Sequence, residues 1–71
     1  MIAARTGQVW RCRRRSRRNY QVQVINVTTT GHARTALCVQ LTGSDGGRPK
    51  KRRTRIMEKT LNEDWILVRS N

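Results

Sequence analysis

Seventy-one residues confine the chain to one domain, and a chain of this size buries only roughly 60% of its unfolded surface, so its core is small. Sixteen Lys and Arg against four Asp and Glu leave a net charge of +12, which points to a polyanionic partner: nucleic acid, an anionic membrane or an acidic protein surface. No run approaches the roughly 18 apolar residues of a membrane span, and "MIAARTGQVW" lacks the apolar stretch of a signal peptide, so a cytoplasmic location is expected.

Residues 1–6 read as a flexible lead and residues 7–69 as the domain. Val9 opens a first strand in "QVWRC", and the basic run after it is the first loop. In "YQVQVINV", Tyr20, Val22 and Val24 share one face, whereas Ile25 and Val27 switch to the other. That switch predicts a bulge or a strand buried on both sides. "TTTGH" is a turn signal carried by Gly31. In "ARTALCVQL", Ala33, Leu37, Val39 and Leu41 form the apolar face, with Thr35 among them, and Arg34, Ala36, Cys38 and Gln40 the other. "TGSDGGRPKK", with its glycines and Pro49, forbids regular structure. "RRTRIM" is a fourth strand with Thr54 and Ile56 on one face, "EKTLNED" suits a single 3₁₀ turn with Leu61 inward, and "WILV" is the last strand.

An all-β fold follows: five short antiparallel strands, tight turns and a helical turn before the last strand. "GQVW" near the start, the long basic first loop, the glycine-rich third loop and the terminal "WILV" resemble the small SH3-like β-barrels of the KOW/Tudor type. That resemblance implies a five-stranded antiparallel barrel and a role in nucleic-acid or protein binding. An OB-like barrel is the nearest alternative.

Two clusters hold twelve of the sixteen basic residues. Arg11, Arg13, Arg14, Arg15, Arg17 and Arg18 form the first; Arg48, Lys50, Lys51, Arg52, Arg53 and Arg55 form the second. In an antiparallel meander the first-to-second and third-to-fourth connections lie at the same end of the sheet, so both clusters are expected at one pole. Arginine outnumbers lysine thirteen to three. Guanidinium grips phosphate bidentately and stacks on bases, which ammonium does not do. A merely solubilising charge run would be served as well by lysine, or better by acidic residues.

The chain has only three aromatic rings, Trp10, Tyr20 and Trp65. With no Phe available they are the best core-fillers, and Tyr20 and Trp65 are read that way. Trp10 follows Val9 and points to the opposite face, so if Val9 is inside, Trp10 is a surface candidate for stacking on a base beside Arg11. Three rings do not build an aromatic cage for a methylated cation. Cys12, Cys38 and His32 lack metal-ligand spacing and a fourth partner, and no second histidine stands ready as the base for a cysteine nucleophile. No metal, no cofactor, no small-molecule substrate and no enzymatic activity are expected. Both cysteines read as free thiols.

The expected function is a small basic DNA- or RNA-binding module with low sequence specificity, gripping phosphates through both arginine-rich loops. It would be associated with a nucleoid or a ribonucleoprotein. The alternative is a protein-interaction module, in the manner of a phage or plasmid accessory factor, docking on an acidic surface of a host nucleic-acid machine. Membrane binding lacks an amphipathic helix or a lipidation motif.

Overall fold

Alternating apolar and polar residues with frequent β-branching dictate extended structure. The computed structural model describes residues 1–14, 20–42 and 52–70. Its strands are β1 (Val9–Cys12), β2 (Gln21–Thr30), β3 (Ala33–Thr42), β4 (Arg53–Met57) and β5 (Trp65–Arg69), with α1 (Glu58–Asp64) before the last. Every pair is antiparallel, in one sheet ordered β4-β3-β2-β1-β5. The all-β class and the five antiparallel strands are as expected. β4 and β5 are the two edges, and no ladder joins them among the described residues. The sheet is therefore open, and closure into an SH3-like or OB-like barrel is not seen. The seven residues of α1 rise about 10 Å between β4 and β5 in the chain and place Leu61 in the core. None of the described helices is long and apolar enough to cross a membrane.

The expected 3₁₀ turn is instead this α-helix. The Trp65 N–H still reaches the Leu61 carbonyl four residues back, and the Asn62 side-chain amide donates to the Glu58 carbonyl at 2.9 Å. Leu61 is fully buried as expected. It joins Trp10, Val22, Val24, Ala36, Cys38, Ile56 and Ala4 in the core, against which Tyr20, Val27, Trp65 and Leu67 pack.

β2 bulges where its pattern changes face. Val24 pairs with Cys38 and Asn26 with Leu37, so Ile25 is the extra residue. Val22 and Val24 are consequently inward before the bulge, and Val27 packs on the core after it. The same register corrects the reading of β3: Ala36, Cys38 and Gln40 are buried, and Leu37, Val39 and Leu41 lie half-buried on the outer face. Small side chains at Ala36 and Cys38 leave the inner volume that Trp10 and Leu61 occupy. Hydropathy alone favours the bulkier face.

The first six residues are not a loose lead. Ile2 N–H donates to Asn62 Oδ1 (2.6 Å) and Asn62 Nδ2 returns a bond to the Ile2 carbonyl (2.9 Å). Ala4, fully buried, donates its N–H to Glu58 Oε2 (2.8 Å) and accepts from Arg34 Nη2 (2.8 Å). Arg34 Nε also lies 3.3 Å from Glu58 Oε2. Each partner sits far away in the chain, so the tie has no local signal in the sequence.

Gly31 leads the short turn between Thr30 and Ala33, which pair across β2 and β3. Its φ of 61° is left-handed, with no heavy atom within 4 Å of an added Cβ. Gly31→Ala should therefore cost about 1–2 kcal/mol from backbone conformation alone, read as a lower urea midpoint with unchanged β-type circular dichroism.

Candidate nucleic-acid interface

The two basic connections spring from the same end of the sheet. Cys12 N–H donates to the Tyr20 carbonyl (2.9 Å) where β1 gives way to β2, and Gln40 N–H donates to the Arg52 carbonyl (2.8 Å) where β3 meets β4. Gln21 pairs with Thr42 between them. Three inter-strand steps separate β1 from β4, about 14 Å across a flat sheet. That separation exceeds the Debye length of about 10 Å at 0.1 M salt, so the two roots act as neighbouring positive sites for one extended polyanion rather than as a single summed potential.

Arg13, Arg14, Arg52, Arg53 and Arg55 are exposed and Arg11 is half-buried. Arg15, Arg17, Arg18, Arg48, Lys50 and Lys51 lie outside the described residues. Arg13 has a second role: its backbone N–H donates to the Asp64 carbonyl (2.9 Å) and its Nη1 to the Glu63 carbonyl (3.3 Å). A cation satisfying the last carbonyls of α1 is a favourable C-terminal cap. Arg14 is exposed and lines a shallow cleft with Cys12, Thr60, Asp64 and Trp65.

Trp10 is not at the surface. Its ring is 1% exposed, and its Nε1–H donates to Gln8 Oε1 at 3.1 Å, so it has no face to offer a base. Val9 is buried too, because β1 is covered on both sides. Trp10 fills the inner face, and Gln21, Leu41, Val68 and Arg69 surround Val9 on the outer one. Alternation holds, but with both faces covered it does not separate inside from outside. Tyr20 and Trp65 meet edge to face, ring centroids 5.6 Å apart at 73°, and pack on the core as expected.

Charge is unevenly distributed between the outer face of the sheet and α1. Arg11, Arg53, Arg55 and Arg69 stand on the outer face, where the register sets them opposite Gln21, Val39, Leu37 and Val9. Glu58, Glu63 and Asp64, three of the chain's four acidic residues, all belong to α1; the fourth, Asp45, lies outside the described residues. The ion pairs among the described residues are Arg34–Glu58 and Lys59–Glu63, so none of the outer-face arginines is neutralised by a described carboxylate. Comparison with protein-family models, curated proteins and solved structures finds no match for this chain. Its function therefore rests on its own residues.

The outer face also presents residues that the sequence reading leaves out as site candidates, Arg69 and the threonines of β2 and β3. Thr28, Thr30 and Thr35 line an outer groove with Leu37 and Arg55. A correct assignment of the β3 faces puts Thr35 on this side, with Thr28 opposite it, but gives no signal for Arg69 on β5.

Cys12 and Cys38 are free and buried. The Cys38 thiol donates to the Ala36 carbonyl at 3.8 Å, and burial pushes its pKa from 9.0 up to about 11. A raised thiol pKa means the native state keeps its proton while the unfolded chain loses it. That contribution is intact below pH 9 and lost as pH rises from about 9 towards 11. The urea midpoint should fall between pH 8 and pH 10, and fall less in Cys38→Ala. A thiol reagent at pH 8 should modify Cys38 only after denaturant is added.

Proposed function

We propose that the protein is a small module that binds duplex nucleic acid through its phosphate backbone, with low sequence specificity. The observation that carries this reading is the sorting of charge. Arginines without a described ion pair occupy the outer face and the loop end, and the described acidic residues are gathered on α1, of which the C-terminal Asp64 comes near the loop end beside Arg14. Counterion release from the nucleic acid then supplies most of the affinity.

The duplex is favoured over a single strand because all three rings of the chain pack against the core, leaving no aromatic platform for unpaired bases. α1 is short and acidic and would be repelled from a groove. Contacts therefore fall mainly on phosphates, which position a protein without reading sequence. Association with a nucleoid or a ribonucleoprotein in the cytoplasm accords with such a role.

Fluorescence anisotropy with labelled duplexes of two unrelated sequences tests the proposal. Expected are affinities equal within a few fold, and weaker binding to either separated strand. Equal binding to polyglutamate at matched charge would contradict it and favour an acidic protein partner.

A further inference from the structure

The outer face of the sheet carries a feature that the arginine loops do not account for. Thr28, Thr30, Thr35, Leu37 and Arg55 line a groove of about 210 Å³. Thr28 pairs with Thr35, and Leu37 lies between Asn26 on β2 and Arg55 on β4, so three adjacent strands build it. Thr28, Thr30 and Arg55 are exposed, and Thr35 and Leu37 are half-buried. Arg55 stands two residues from Arg53 on the same face of β4, about 7 Å along the strand. Arg53 in turn follows Arg52 at the root of the basic loop. A cationic edge thus leads from the loop end to a groove offering hydroxyls, one guanidinium and a leucine floor.

We infer that this groove seats the sugar–phosphate backbone of the same duplex, so that nucleic acid runs from the arginine loops along β4 onto the face of β2 and β3. The inference rests on the nucleic-acid reading above and extends its footprint. Charge complementarity selects the occupant: the face bears arginines and no described carboxylate, so it suits a polyanion and repels a second copy of itself. Chemistry agrees. Arginine takes a phosphate in a two-pronged grip, threonine hydroxyls are ordinary phosphate donors, and Leu37 offers apolar contact to the sugar.

Anisotropy titrations at several salt concentrations separate this from the loop contribution. Thr28→Val with Thr35→Val keeps β-branched shape and charge and removes two hydroxyls. It should weaken duplex binding about five- to tenfold at every salt concentration, with the salt slope unchanged. Arg55→Gln should make the slope shallower by about 0.9. Thermal melts of both variants should match the parent, since neither change touches the core.

If both variants bind as the parent does while Arg14→Gln weakens binding, the loop reading stands and the groove inference falls. Parent protein that binds no duplex overturns both. Loss of self-association in sedimentation with duplex binding intact would assign the face to a second copy and overturn the inference.

Discussion

Trp10→Ala should remove about half of the stability of the fold. The indole is 1% exposed at the centre of the core, and truncating a buried Trp costs about 3–5 kcal/mol in lost burial and residual cavity. A 71-residue domain has only about 4–10 kcal/mol in total. Gln8 Oε1 would also lose the indole donor, keeping only the Arg5 N–H at 2.9 Å. Since one kcal/mol moves the midpoint of a small domain by about 4–8 °C, Tm should drop by at least about 12 °C. Trp65 fluorescence and far-ultraviolet circular dichroism follow the transition. A melt within a few degrees of the parent would place Trp10 at the surface.

The second large effect is on binding. Replacing Arg14, Arg15 and Arg53 by Gln should weaken duplex affinity roughly 500-fold at 0.1 M salt, if each residue holds one phosphate. That figure follows from about 0.9 log units lost per contact between 0.1 M and 1 M salt. The loss should be equal for unrelated sequences, because phosphate contacts carry no base information. Stability should change by no more than about 0.5 kcal/mol, as for most surface substitutions. Arg13 is left intact because it caps α1, and its removal would confound binding with helix stability.

Local rules carried the sequence reading as far as strands, turns and the bulge at Ile25. Period-two alternation marks each strand, and a change of face inside "YQVQVINV" has few other physical meanings. Leu61 was legible as the one apolar side chain in an otherwise polar segment. What was illegible depends on partners distant in the chain. Ala36 and Cys38 rather than Leu37 and Val39 share the interior with Trp10 and Leu61, an outcome of the register with β2 and β4 that hydropathy does not foretell. Trp10 was misplaced because β1 is covered on both faces, where alternation stops discriminating. Residues 1–6 read as a loose lead in the sequence because Asn62, Glu58 and Arg34, which hold Ile2 and Ala4, are specified elsewhere. The basic clusters were legible as charge, but the groove beside Arg55 required the correct register of β3.

The slope of log K against log salt for duplex binding tests the central claim most directly, measured on the parent and on two charge-matched variants. With about six phosphates neutralised, the parent should show a slope near −5. Arg14→Gln with Arg53→Gln should flatten it by about 1.8, and Arg5→Gln with Lys59→Gln, which removes the same charge away from the proposed interface, by less than about 0.5. Equal flattening by the two pairs, or a parent slope shallower than about −1, would show that only overall charge attracts the nucleic acid and would contradict an arginine interface at this end and face of the sheet.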